Sequence, residues 1–505
     1  MRMVRRYLLF AVFFTLFAQI VPAQESLGDI ARKLKAQKGA TENTAPAAPV
    51  PSTPAPANGS TGGQQQSNWS IVSAGSTAQP AIVADLNADT ATDINGLMKY
   101  DTAIYQLFLQ DKFEEIDRRA HEARVTQARF SGGFFKLHET YLAVISPNMG
   151  LKATDAEWQQ HLAGLKRWIQ QRPDSITARV ALAWFYHNYG WAARGGGYAD
   201  SVTDEGWRLM AERAGMGRKI LEEAQALPEK CPEWFSAMMA IAGDESWDSE
   251  QSLALFKKAI EFNPDYYYFY LDQAEMLLPK WGGNEGDVAA FADAMTNRLG
   301  GKKGDAMYFL IGTTIVCNCA NHDHLNGLSW ERLKRGYAAS EELYGRSIKR
   351  LNKMAYMASQ ADDSDYANTL FTQIGENWDP QPWRAREYFD EARRKAGGTI
   401  MQRNYKEAMA NSTSPEGSVF VSTLNETINR KYHDKLMDCM KTVPDYNLAQ
   451  VGMLMRLGKD GKPQQILFSP HNVPAGCFQP EVEKAVFSAP PHADYWVVVL
   501  MDVKK

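Results

Sequence analysis

Between Ile94 and about Ala410, apolar residues recur every three to four positions, and the prolines and glycines fall between the periodic segments instead of inside them. A pattern of this kind builds helices and little else. Trp158, Leu162, Leu165 and Ile169 make one stripe, closed at Pro173, and Ile176, Val180, Ala183 and Tyr186 make the next. The region predicts ten or more helices, and strand-type alternation is nearly absent from it, which disfavours an α/β enzyme fold. With 505 residues, 45% of them hydrophobic, the chain has apolar material for at least two cores.

The helical region carries a degenerate internal echo. Gly217, Leu221 and Ala224 match Ser252, Phe256 and Ala259, 35 residues on, and Pro228 matches Pro264, 36 residues on. A small residue is followed by a large apolar one, then by Ala, then by a helix-ending Pro; a weaker copy has Ala367, Phe371 and Pro380. The offset is close to the period of about 34 residues of TPR helix pairs, and the small residues would let paired helices approach closely. Any helical bundle contains some such spacings, and that reading stands beside the repeat.

The ends differ in texture. Arg2, Arg5 and Arg6 precede the apolar run from Tyr7 to Val21, and Val21-Pro22-Ala23 follows, the pattern of a signal peptide over residues 1–23 with an uncleaved anchor as the alternative. Cleavage would move the formal charge from −4 to −7. Residues 24–93, rich in Ala, Pro, Ser and Gln, are expected to be a disordered tether, because they offer too little apolar surface to offset the entropy of ordering. No later stretch is long and apolar enough to span a membrane. A slightly acidic chain without a basic stripe disfavours nucleic-acid binding, and the signal peptide makes a periplasmic or secreted location the expectation.

After a polar stretch at Ser412 to Gly417, residues 418–505 read as a small α+β domain. An amphipathic helix from Val419 to Met440 precedes strands at Gln450 to Leu457 and Gln464 to Phe468, joined by the turn Lys459-Asp460-Gly461-Lys462. A short helix from about Pro480 to Phe487 and a strand from Tyr495 to Val503 complete it. The hairpin around Asp460-Gly461, Cys477, Phe487 with Ala489-Pro490-Pro491, and the apolar strand Tyr495 to Leu500 resemble the TonB C-terminal-like domains, above all the variant that ends gliding-motility proteins. The resemblance implies envelope partners held along a strand edge, and it implies a Cys439–Cys477 disulfide, with two free buried thiols as the alternative. It does not extend to energy coupling, since the rest of such a transducer is missing.

The middle of the chain, roughly Tyr100 to Trp383, resembles a bacterial family of exported helical proteins classed as a domain of unknown function. The resemblance is carried by Arg172-Pro173-Asp174-Ser175, Ala178 to Ala183, Tyr198-Ala199-Asp200, Leu227 to Pro232, Pro264-Asp265-Tyr266-Tyr267 and Leu278-Pro279-Lys280-Trp281. It implies a fold and no activity.

Catalytic constellations are missing from the sequence: there is no His-Glu-x-x-His, Gly-x-Ser-x-Gly or P-loop lysine motif. The loop Arg194-Gly195-Gly196-Gly197 is a weak anion cradle, and acids such as Glu205, Asp244 and Glu285 are indistinguishable from solvated surface. Cys317, Cys319, His322 and His324 are a weak metal candidate whose spacing fits no standard zinc pattern. Cys231 reads as a buried inter-helix residue. The aromatic groups are more informative for binding. Trp184, Tyr189 and Trp191 crowd one helix, while Tyr267 and Tyr268 belong to five consecutive aromatics that cannot all face one core, with Trp281 beyond. These six residues form the candidate binding groove.

The expected protein is mainly α: a TPR-like helical-repeat array over 94–410, followed by a TonB C-terminal-like α+β domain over 418–505. It is expected to be a non-catalytic scaffold for a protein partner in the cell envelope, with no cofactor and an oligomeric state that the sequence does not address. Its rivals are an enzyme acting on envelope polymers through a cleft in the helical domain, and a metal or small-ligand binder.

Overall fold

Many of the helices begin at a side chain that satisfies their first backbone donors. Thr154 with Glu157, and Asp248 with Gln251, form complete capping boxes; Ser175, Thr203 and Ser329 each accept a hydrogen bond from a backbone N–H of the first turn. A computed structural model describes residues 82–315, 324–441, 450–469 and 473–502. Among them the chain forms 18 helices and three strands. The signal segment, most of the tether and the Cys317, Cys319 and His322 candidate lie outside the described residues, as does the side chain of His324.

The chain separates into two compact units. Residues 82–87, 98–315 and 324–345 make the first, and residues 88–97 join everything described from Arg346 onward in the second. The helices are α1 (Gly96–Leu109), α2 (Phe113–Thr126), α3 (Lys136–Val144), α4 (Asp155–Gln171), α5 (Ile176–Arg194), α6 (Asp204–Ala224), α7 (Pro232–Asp244), α8 (Ser249–Phe262), α9 (Tyr268–Met276), α10 (Asp287–Leu299), α11 (Gly301–Gly312) and α12 (Trp330–Tyr344).

From α5 onward the first unit is an array. Helices α5, α7, α9 and α11 touch one another in succession, while α6, α8 and α10 each pack against the two members that flank them in sequence. The 35-residue echo falls on corresponding helices of this arrangement, with Gly217, Leu221 and Ala224 on α6 and Phe256 and Ala259 on α8, all buried. A Cβ on Gly217 would lie 2.8 Å from the Ile241 side chain and 3.1 Å from the Ala183 carbonyl oxygen, so the small residue is what lets α6 approach α5 and α7.

The second unit holds α13 (Ile348–Gln360), α14 (Ser364–Ile374), α15 (Pro380–Trp383), α16 (Arg386–Thr413), α17 (Pro415–Lys441), β1 (Gln450–Leu457), β2 (Pro463–Ser469), α18 (Val473–Glu483) and β3 (Tyr495–Asp502). The sheet is antiparallel throughout, in the order β2-β1-β3. Met453, Met455 and Leu457 alternate with Leu454 along β1. The first set joins Ile466, Phe468, Val497 and Val499 in a core under Phe420, Leu424 and Ile428 of α17 and Phe478 and Val482 of α18. The opposite face carries Leu454, Leu467 and Trp496 against Ile400 and Ala408 of α16. At the hairpin, Gly461 has φ 76°, and an added Cβ would meet the Phe487 carbonyl oxygen at 2.2 Å. Cys439 of α17 and Cys477 of α18 form a disulfide with Cα atoms 5.6 Å apart, and closing a 38-residue loop stabilises the domain by about 4 kcal/mol in the chain-entropy account.

Three expected boundaries move. The division falls after Gly345 instead of near 410–418, because α16 packs on the sheet and the polar stretch at Ser412 to Gly417 is only the corner between α16 and α17. The tether does not run to residue 93: Ala88 and Thr90 are buried, Asp89 accepts hydrogen bonds from Ala91 N (2.7 Å) and Thr92 Oγ1 (2.5 Å), and Ala91 O accepts from Ile348 N. The helix expected from Pro480 starts at Val473 and contains Pro480, its two ends held by burial of Ala475, Phe478 and Val482.

Candidate functional site

Helix α7 carries an acid at each end and a serine between, and their spacing places Glu233, Ser236 and Asp244 on one side of the helix. Helix α5 offers Trp184, His187 and Trp191 at the matching i, i+3, i+7 spacing, α3 adds His138, and α9 adds Tyr268 and Asp272. The two carboxylates organise these groups.

Glu233 is fully buried. Its Oε1 accepts from His138 Nδ1 at 2.8 Å and from the Tyr266 hydroxyl, and its Oε2 accepts from Trp184 Nε1 at 3.2 Å. Asp244 does the same one helix length away, accepting from His187 Nδ1 at 2.6 Å and from Trp191 Nε1 at 2.9 Å. The Trp184 ring meets His187 edge-on at 5.4 Å, Trp191 meets Trp281 edge-on at 5.8 Å, and Tyr268 stacks on His138 at 3.6 Å. The rings thus form a strip running from Tyr268, past Trp184, to Trp281.

The electrostatics of this strip are unusual for a structural core. Burial disfavours the charged form of His138, yet the charge and hydrogen bond of Glu233 outweigh it and raise its pKa above the ordinary value. Burial pushes the Asp272 carboxyl up to about 8, Ser236 acting against the rise and the Glu233 charge adding to it. Among the described residues, neither Asp272 Oδ2 nor Ser236 Oγ has a hydrogen-bond partner of good geometry, and Trp281 Nε1 has none either. A buried polar atom left unmet costs about 1–3 kcal/mol, so such atoms mark a place where another polar group is wanted.

The six groove candidates separate. Trp184, Tyr268 and Trp281 are half-buried members of the strip, and Trp191 is its buried floor. Tyr267 is sealed against Phe135 and Tyr268, and four of the five consecutive aromatics are buried, because neighbouring segments close over a short helix from all sides. Tyr189 belongs elsewhere: it stacks on Trp158 at 5.0 Å, with the Arg213 guanidinium over its ring and its hydroxyl donating to Asp155. The glycine loop at Arg194 is no cradle, since Arg194 donates to its own loop carbonyls at Gly195 and Gly197 and lies over the Trp191 and Trp207 rings. Glu205 is a surface residue paired with Arg208, and Cys231 is buried with the Tyr141 hydroxyl 3.3 Å from its sulfur. His138, His187, Glu233 and Asp272 escaped sequence reasoning. The available signal was a charged residue directly after the helix-opening Pro232 of an otherwise apolar segment.

No curated protein and no solved structure matches the chain. Residues 101–256 match a family described as a domain of unknown function, DUF4034; the match includes His138, Trp184, His187, Glu233 and Asp244 and stops short of Tyr268 and Trp281, so this chain is similar to that family over the array's first helices and not over the span to Trp383 that the sequence suggested.

Proposed function

We propose that this protein is an exported, TPR-like binding module that holds a protein partner in the cell envelope against the strip from Tyr268 to Trp281. The observation that carries the reading is the half-exposure of Trp184, Tyr268 and Trp281 above buried carboxylates that fix the rings beneath them. Rigid aromatic rings with one wet side anchor partners at low entropic cost. The TonB C-terminal-like resemblance of residues 418–505 supports a second contact along a strand edge. The test is capture from envelope extracts by the full chain, by Trp281→Ala and by Tyr268→Ala. Loss of the captured partner by variants that stay folded and melt within a few degrees of the wild type supports the strip; full capture by both variants rejects it.

One observation favours a second reading, an enzyme acting on envelope polymers. An imidazole held by a carboxylate stands beside a carboxyl that keeps its proton near neutral pH, which is the pairing general acid–base catalysis uses. Asp272→Asn would then abolish polymer turnover while leaving partner capture intact, and absence of turnover by the wild-type chain removes this reading.

A further inference from the structure

The second unit contains an unusual concentration of cations on α13. Lys349 and Lys353 lie one turn apart on the same side of the helix, with Arg350 beside them. Lys353 is half-buried and makes no hydrogen bond or ion pair among the described residues. Burial, then the neighbouring positive charges of Arg350 and Lys349, bring its pKa down to about 7, and Asp379 is the carboxylate that opposes this. That carboxylate is already engaged. Asp379 Oδ1 accepts from Gln381 N at the start of α15, and Oδ2 lies 3.5 Å from Lys349 Nζ.

The corner is rigidly built. Asn352 Oδ1 accepts from Asp379 N at 3.0 Å and from Trp383 Nε1 at 3.1 Å, and Asn352 Nδ2 donates to the Ile348 and Asn377 carbonyls. The segment leaves α15 through Arg384 at φ 63°, a conformation that a non-glycine residue adopts only at a cost of about 1–3 kcal/mol. Beside Asp379, both polar atoms of the Gln381 carboxamide are buried without a partner among the described residues. An ammonium and an amide that lack an acceptor, fixed on neighbouring short elements, are the donor set of an anion site.

We propose that the α13–α15 corner is an oxyanion site in which Lys349, Lys353 and the Gln381 amide receive a phosphate group. The several acceptor oxygens of a phosphate group meet the ammonium and amide donors together. The phosphate is either free in solution or carried on a lipid headgroup. This site is independent of the aromatic strip.

The test labels the wild-type full chain with an amine-reactive reagent at pH 7 and reads Lys353 by mass spectrometry. Inorganic phosphate, against chloride of matched ionic strength, should lower its reactivity about fivefold, the change that a one-unit rise from about 7 produces. Phosphatidic acid vesicles, against phosphatidylcholine vesicles, form the second arm; protection in that arm alone assigns the lipid-borne source. In parallel, phosphate should raise the melting temperature of the wild type and not of Lys353→Met. Equal labelling of Lys353 in both arms and their controls overturns the proposal, as does a Lys353→Met variant that keeps the phosphate-dependent melting shift. If that variant fails to fold, the wild-type labelling decides alone.

Discussion

The first unit contains two aromatic-rich regions built from neighbouring helices, and only one is a candidate site. In the first, Phe113 stacks on Trp168 at 5.4 Å, and His161 stacks on Phe185 at 5.7 Å, all four rings buried. Among the described residues His161 hydrogen-bonds the Val144 carbonyl alone, and burial brings its pKa down to about 4, so it is neutral and behaves as one more packed ring. In the second region His138 faces Glu233 and moves in the opposite direction. Aromatic density is therefore a poor guide to binding surfaces. What separates the regions is the fully buried carboxylate of Glu233, which holds an imidazole and orients ring edges; buried ring N–H groups without a partner among the described residues occur in both, at Trp168 as at Trp281.

The comparison breaks most directly at Glu233. Glu233→Ala strands the imidazole of His138, the Tyr266 hydroxyl and the Trp184 indole together, and should cost about 4 kcal/mol in denaturant unfolding. A loss under 1 kcal/mol would mean that the carboxylate does not organise the strip.

The next effect lies in the other region. His161 is neutral when folded and takes a proton when unfolded, so stability present above about pH 6.5 falls as the pH drops toward 4. The loss should reach about 3 kcal/mol, and a His161→Phe variant should show a shallower acid limb in pH-dependent melting. His138 gives the mirror image, contributing stability below its ordinary pKa that is lost as the pH rises through its elevated one.

Asp272 sharpens the contrast within the strip. Its folded pKa is raised, so its contribution is fully present below about pH 4 and is lost as the pH rises toward 8. Asp272→Asn should be the more stable protein at pH 8, by on the order of 2 kcal/mol because the side chain keeps some contact with water. Equal stability at pH 8 would mean that the carboxyl ionises freely. The smallest effect belongs to Trp281→Ala, about 1 kcal/mol in thermal melting, since the ring rests edge-on against Trp191 and its indole N–H bonds nothing among the described residues. A much larger loss would move Trp281 from the binding strip to the packed core.

Much of this architecture was legible because it rests on local chemistry. The strand Gln450–Leu457 and the turn at Gly461 follow from period-two alternation and a single positive φ, and the close helix approach at Gly217 follows from helix contact geometry. The unit boundary was not legible. Helix α16 buries only Phe389, Ala396, Ile400 and Ala408 of its 28 residues, a stripe too sparse to reveal that its partner is a sheet. Nor was the strip, because His138, Glu233 and Asp272 come from three separate helices, and a lone acid in an apolar segment reads the same whether it faces water or an imidazole. The five aromatics at Tyr266 to Tyr270 were legible only in part: Tyr268 keeps the exposed side that helix geometry demands, and tertiary packing covers the other four.

The Cys439–Cys477 bridge spans everything between the end of α17 and the middle of α18, including the whole β1–β2 hairpin. A protease that nicks the chain anywhere in that interval leaves two fragments still joined covalently, and the cut protein migrates as one species until a reductant is added. The domain's integrity is thereby tied to the thiol balance of its surroundings more than to the intactness of its backbone.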